Sequence, residues 1–183
     1  MDTEVELKVK LSPEDIRAVR EALQRNGGQA RTSSQTEVNV LFDYPDGRLC
    51  KSGCALRLRA YDGACLLTFK GPVENDPLLK KRPEIQTGVS HAEQTKELLA
   101  QLGLLPRFLY SKEREIWIWE TAEGAVEICF DETPIGCFLE IEGQEKAIWK
   151  AATLLGVNVE NAVSESYISL YAKAGLGLIS HES

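Results

Sequence analysis

The stretch Glu4-Val5-Glu6-Leu7-Lys8 alternates charged and apolar side chains with a period of two. In an extended strand, alternate side chains point to opposite faces. One face here carries two carboxylates and an ammonium, and the other carries Val5 and Leu7. The alternation recurs down the chain. Arg57 and Arg59 alternate with Leu56 and Leu58, and Thr68 and Lys70 with Leu67 and Phe69. Arg82 and Glu84 lead a short run, and Lys112 and Arg114 share one parity. Glu127 and Asp131 alternate with Val126, Ile128 and Phe130, and Glu140 and Glu142 with Leu139 and Ile141. If such strands bury their apolar faces under helices and close into a barrel, their charged faces line the lumen. A lumen rich in both signs suits a polyanion held together with divalent metal ions.

The chain has 183 residues, enough for one domain with a proper core. Its hydrophobic content of 43% is ordinary for a soluble protein. No apolar run approaches the roughly 20 residues that span a bilayer. Charge begins at residue 2, which does not read as a signal peptide. A net charge of −7 argues against nonspecific nucleic-acid binding, but not against an anionic ligand held by a local arrangement. The five cysteines (Cys50, Cys54, Cys65, Cys129 and Cys137) are odd in number and come without a secretory signal. Reduced thiols in a cytoplasmic protein are the expectation. Cys50 and Cys54 lack the second pair or nearby histidine of a zinc site. His91 falls at a helix start and His181 in a tail, so histidine-based catalysis is not expected.

Strand one is expected over residues 3–10. Ser12-Pro13-Glu14-Asp15 then supplies an N-cap, a first-turn proline and an acid three residues on. Ile16, Val19 and Leu23 follow at helical spacing until Asn26-Gly27-Gly28. A strand over 37–43 ends in the turn Tyr44-Pro45-Asp46-Gly47. Strands over 55–61 and 65–70 flank Asp62-Gly63, a hairpin signal. Residues 71–80 hold two prolines and no hydrophobic period, and read as a mobile loop. A short strand covers 81–87. Ser90 to Glu93 opens a helix with Leu98, Leu99 and Leu102 inside, stopped by Gly103. Strands over 108–119, 125–131 and 137–142 precede helices over 144–155 and 165–174. The order is strand, helix and three strands, repeated once, with little residue identity between the halves, so a duplication is suggested by topology only.

On the inferred inward faces the basic set is Lys8, Arg57, Arg59, Lys70, Arg82, Lys112 and Arg114. The acidic set is Glu4, Glu6, Glu84, Glu127, Asp131, Glu140 and Glu142. A one-sided sheet with a solvated polar face is the plainer alternative for any single strand. It does not explain why carboxylates gather in the first and last strands and cations in the middle ones. Glu4 and Glu6 lie roughly 7 Å apart along one strand, as do Glu140 and Glu142. Hard divalent cations take such oxygen ligands, and arginine makes planar paired contacts to phosphate oxygens.

Seven motifs in order make the chain similar to the CYTH family, the triphosphate tunnel metalloenzymes. They are Glu4-x-Glu6-x-Lys8, Leu56-Arg57-Leu58-Arg59, Thr68-Phe69-Lys70-Gly71-Pro72, Arg82-Pro83-Glu84, Lys112-Glu113-Arg114, Phe130-Asp131-Glu132 and Phe138-Leu139-Glu140-Ile141-Glu142. The resemblance implies an α+β fold: an eight-stranded antiparallel β-barrel with helices packed outside. One domain would cover 1–175, with a tail over 176–183. It also implies Mg²⁺ or Mn²⁺ held by Glu4, Glu6, Asp131, Glu140 and Glu142, with Glu84 and Glu127 as outer partners. The seven cations would bind a triphosphate, and Lys70 and Lys8 are the candidates for assisting proton transfer. Some family members carry a basic residue where Glu165 stands here, which places one terminal-phosphate contact in question.

The Lys70-Gly71-Pro72 turn and compact length most resemble the CyaB-type class IV adenylyl cyclase branch. That branch implies conversion of ATP to cyclic AMP and pyrophosphate. The alternative within the family is hydrolysis of tripolyphosphate, thiamine triphosphate or a nucleoside triphosphate. Outside catalysis, the alternative is a silent polyphosphate- or nucleotide-binding module, which would not need so many carboxylates. The expected partner is a triphosphate-containing small molecule, without membrane or nucleic acid, and a homodimer is left open.

Overall fold

A computed structural model describes residues 2–61, 63–74, 76 and 78–177. Eight antiparallel strands form a closed barrel in the order β1-β5-β4-β3-β2-β6-β7-β8. They are β1 (Asp2–Leu11), β2 (Gln29–Asp43), β3 (Ala55–Tyr61), β4 (Ala64–Lys70), β5 (Lys80–Val89), β6 (Leu105–Thr121), β7 (Gly124–Thr133) and β8 (Gly136–Gly143). Helices α1 (Pro13–Arg25), α2 (Arg48–Lys51), α3 (Ala92–Gln101), α4 (Glu145–Leu155) and α5 (Tyr167–Lys173) lie outside or at its ends. The order maps onto itself when each of β1–β4 is exchanged with the strand four further on. The repeat read from the sequence is therefore present in the topology.

The hydrophobic core lies between the barrel wall and the helices, and the lumen is polar. Leu7, Val9, Ile128, Leu139 and Ile141 are fully buried on the outer faces of their strands, under Val19 and Leu23 of α1 and Ile148 and Ala151 of α4. Removing this apolar surface from water is the main term holding the wall closed. The Ser12–Asp15 capping box forms as expected. A second cluster sets Tyr167 and Tyr171 of α5 against Phe108, Tyr110 and Phe138.

Several expectations need correction. The N-cap of α3 is His91, without a side-chain cap bond. Of its three leucines only Leu99 is buried; Leu98 and Leu102 are 60% and 61% exposed. The helix presents one narrow edge to the β2–β3 wall, and Leu98 and Leu102 fall outside that edge. Strand β2 begins eight residues earlier than the expected residue 37, because Gln29–Thr36 pairs with the far half of β6 through register shifts. Within the stretch read as a mobile loop, Leu79 is buried in the core and Lys80 already belongs to β5. The amides of Leu78 and Leu79 donate to the Asp76 carboxylate, and Glu74 N–H donates to the Lys81 carbonyl. Asn75 and Pro77 of that stretch, Asp62 of the hairpin, and residues 178–183 of the tail lie outside the described residues. At the start of that tail, the Gly177 carbonyl accepts from Leu109 N–H of β6. Among the described residues no helix is long and apolar enough to cross a membrane.

Candidate active site in the barrel lumen

Strand register sets most lumen charges opposite a charge of the other sign. Glu4 faces Arg82, Glu6 faces Lys80, and Lys8 faces Glu140. Lys70 faces Glu84, Glu37 faces Lys112, and Arg114 faces Asp131. The corresponding ion pairs form: Glu4–Arg82 at 3.0 Å, Glu6–Lys80 at 3.0 Å, Lys8–Glu140 at 3.1 Å and Lys70–Glu84 at 2.8 Å. Cross-strand pairs of opposite charge stabilise a sheet, and like charges directly opposite destabilise it.

The pairing breaks down in two places. Glu142 has Glu6 opposite it on one neighbouring strand and Glu127 on the other. Among the described residues it makes no ion pair. Burial, followed by Glu140, Glu6 and Glu4, pushes its carboxyl up to about 8. Glu4 behaves oppositely: burial acts to raise it, but Lys70 and Arg82 hold it down at about 2. The second break is Arg57, which faces Leu41 and Thr68. Among the described residues it makes no ion pair, and its Nε lacks a partner.

The first break fits a divalent metal. One oxygen from each of Glu4, Glu6 and Glu142 lies within 4.8 Å of the others. The donors are all carboxylate, as Mg²⁺ or Mn²⁺ prefers. A divalent charge among them would relieve the crowding that Glu142 experiences.

Asp131 and Glu140, the other two expected metal ligands, are outside that three-oxygen group and are held by cations. Asp131 is 1% exposed and accepts from Arg114 Nε at 2.7 Å, Lys112 Nζ at 2.9 Å and the Tyr167 hydroxyl at 2.6 Å. Arg114 also pairs with Glu140. Lys8 and Lys112 sit 4.4 and 4.5 Å from the Tyr167 ring centroid, within cation–π range. Lys8 is a fixed ammonium: burial acts to lower its pKa, but Glu6 and Glu140 raise it overall. The Glu165 carboxylate turns to Lys173 at 2.5 Å, and only its backbone carbonyl meets Lys8, at 3.4 Å.

Glu4, Glu6, Lys8, Arg57, Arg59, Lys70, Arg82, Glu84, Arg114, Glu127, Glu140 and Glu142 all line one cavity of about 1160 Å³. Lys112 and Asp131 lie in the wall behind it. Sequence reasoning missed Lys80, Glu37 and Tyr167. Lys80 shares parity with Arg82 and Glu84, so extending that run by one step finds it. Burial, with Lys8 and Arg82 nearby, lowers Lys80 to about 8 against the pull of Glu6. Glu37 likewise shares parity with Asn39 and Leu41 in a strand that otherwise reads as apolar. It accepts from Arg59 at 3.1 Å and lies 3.6 Å from Lys112. Tyr167 carries no such signal, because only the docking of α5 brings it inside.

Burial acts to raise the Glu37 carboxyl, but Lys112, Arg114 and Arg59 hold it well below the usual range. Its contribution to stability is therefore complete above about pH 5, begins to fade as the pH falls below about 4, and is lost fully only through the depressed folded value. Glu37→Gln is expected to melt below the parent at pH 7, with the gap closing as pH drops towards 3. A gap that stays constant across thermal scans at pH 7, 5, 4 and 3 would refute the pairing.

A profile of the CYTH domain matches residues 2–156. A Methanocaldococcus jannaschii protein named "Putative adenylate cyclase" is 28% identical over 177 residues, covering 91% of this chain and 97% of that protein. A Vibrio parahaemolyticus structure of "a putative adenylate cyclase" superposes with a TM-score of 0.78 at 20% identity, covering 93% of this chain and 98% of that one. A Hippeastrum structure, of a "putative adenylyl cyclase" with a dominant triphosphatase activity, gives a TM-score of 0.65 at 20% identity over 98% and 99% of the two chains. At such identities the two structures share the fold with this chain.

Proposed function

This chain belongs to the CYTH domain family, and from that premise we propose that it is a divalent-metal-dependent enzyme converting ATP to cyclic AMP and pyrophosphate. The observation that carries the metal and triphosphate part of this reading is the pair of breaks in the lumen's charge pairing. A Glu142 carboxyl and an Arg57 guanidinium that make no ion pair among the described residues are what a metal-bound polyphosphate would complete. The likeness to the Methanocaldococcus jannaschii protein supports the cyclase direction. The second reading is a triphosphatase on the same tunnel, supported by the activity described for the Hippeastrum protein.

Glu4, Glu6 and Glu142 would hold the metal, whose chemistry is charge neutralisation on phosphate oxygens. Arg57 would take the phosphate oxygens first, since it gives up no carboxylate to do so. Arg59, Lys70, Lys80, Arg82 and Arg114 would exchange carboxylate partners for phosphate. Lys8, held charged by Glu6 and Glu140, would act as a fixed positive charge. Lys70, between Glu4 and Glu84, is the candidate for steering a proton. In cyclisation the ribose 3′-oxygen bonds to the α-phosphorus, the α–β bridging bond breaks, the hydroxyl proton is lost and pyrophosphate leaves. In hydrolysis a water oxygen bonds to the terminal phosphorus, the β–γ bridging bond breaks, the diphosphate is the leaving group, the water gives up a proton and orthophosphate forms.

Incubation with ATP, tripolyphosphate and thiamine triphosphate, each with Mg²⁺ or Mn²⁺, separates the readings by product. Cyclic AMP with pyrophosphate supports the first, and orthophosphate release supports the second. No turnover of any of the three would sink both. Arg57→Ala is expected to weaken ATP binding by about 1.5–3 kcal/mol, the worth of charge-assisted hydrogen bonds. AMP binding should change far less. Equal losses for AMP and ATP in calorimetry would remove Arg57 from the polyphosphate site.

A further inference from the structure

Thr68 opens one of the seven sequence motifs, yet its side chain is in no position to meet a ligand. It is fully buried on β4 and does not line the cavity. Its hydroxyl donates to the side-chain oxygen of Gln86, directly across from it on β5, at 3.0 Å. Arg59 Nη2 donates to the same oxygen, also at 3.0 Å. Two donors on one atom fix the amide, because turned over it would set its NH₂ against both. Gln86 follows Arg82 and Glu84 on the inward face of β5 and lines the cavity, exposed at its mouth. The mouth in question is the one where β3 finishes and β4 begins. At this step of the inward face a neutral acceptor stands where its two predecessors are charged.

Arg59 is thereby held from two sides. Its Nη1 donates to Glu37 of β2 at 3.1 Å and its Nη2 to Gln86 of β5, so the guanidinium reaches across β4. Its Nε has no partner among the described residues. The two holds differ in kind. Glu37 is a carboxylate, which a phosphate must displace. Gln86 carries no charge and can keep its bond while that exchange takes place. A guanidinium let go by its only partner would have to be ordered again by the ligand, at a cost to affinity.

We propose that Gln86, locked by Thr68, is a positioning residue for Arg59: it keeps the guanidinium in place for a polyphosphate chain without cancelling its charge. The inference rests on the triphosphate reading of the charged lumen. Its sharpest consequence concerns Thr68, which then governs affinity from outside the cavity by way of two other side chains.

Calorimetry with Mg²⁺ and tripolyphosphate tests this on the parent, Gln86→Leu and Thr68→Val, and on both changes in an Arg59→Ala background with the ligand raised to millimolar. Gln86 is exposed at the mouth, so its replacement leaves the core untouched, and a thermal scan confirms the fold of Thr68→Val. Gln86→Leu is expected to weaken binding about tenfold and Thr68→Val about threefold, and each by less than about twofold once Arg59 is gone. Parental affinity in either single variant would overturn the positioning role and leave the triphosphate tunnel standing. So would losses as large without Arg59 as with it, which are the mark of direct ligand contact or of a merely structural effect. Failure of the parent to bind tripolyphosphate would overturn the tunnel reading and this inference together.

Discussion

Glu142→Gln is expected to abolish metal-dependent turnover, by at least about a hundredfold, without lowering stability in EDTA. The catalytic loss is the size expected when one group that organises transition-state charge is removed. The stability result follows from register. Glu142 stands between Glu6 and Glu127 and, among the described residues, pairs with no basic side chain. The metal-free carboxyl, pushed up to about 8 by burial and its acidic neighbours, is already largely neutral at pH 7, so an amide of nearly the same shape breaks no ion pair among the described residues. Glu4→Gln and Glu6→Gln would also stop turnover, but would leave Lys70 and Arg82, or Lys8 and Lys80, short of a partner. Those two should therefore melt lower, and Glu142→Gln should not. Product assays with saturating Mg²⁺ or Mn²⁺, paired with melting curves in EDTA, make the comparison. Parent-level turnover by Glu142→Gln would remove it from the metal site.

Asp131→Asn is expected to be the most destabilising single change in the lumen. The Asp131 carboxylate neutralises Arg114 and Lys112 and accepts from the Tyr167 hydroxyl. Removing the charge leaves two buried cations short of compensation, a loss of about 3–5 kcal/mol. For a chain of this size that lowers the melting temperature by roughly 6–20 °C. It should also loosen α5, because Tyr167 loses the anion it docks on. If Asp131 instead served only as a metal ligand, the variant would keep its melting point and lose only turnover. Thermal melting of the metal-free protein and amide exchange over residues 164–174 distinguish the two roles.

The wall of the barrel was legible because period-two alternation survives in single strands. Glu4 and Glu6, Arg57 and Arg59, and Glu140 and Glu142 each announce an inward face without reference to any other strand. Which charges cancel was not legible. Asp131 and Glu142 look alike in the sequence, each a carboxylate on an inward face. Their difference arises from register, which sets Arg114 against one and Glu6 and Glu127 against the other. Tyr167 was out of reach for a similar reason. A tyrosine opening a short helix declares nothing until that helix docks over the strands. Leu98 and Leu102 show the converse: helical spacing named a stripe, but the wall beneath α3 covers only Leu99.

Strands β1 and β8 are neighbours in the barrel and lie at opposite ends of the domain, residues 2–11 against 136–143. Seaming them joins segments more than a hundred residues apart, a slow non-local step that local hairpins such as β3–β4 do not share. Within the barrel, β1 must wait for β8 before its second hydrogen-bonding edge is paired. Glu6 and Glu142 meet only at that seam. A chain interrupted anywhere before β8 lacks Glu142 and so has no complete cation pocket. Competence to bind the ion is thus a checkpoint for completed synthesis, and appearance of metal affinity during refolding would time the closing of the seam.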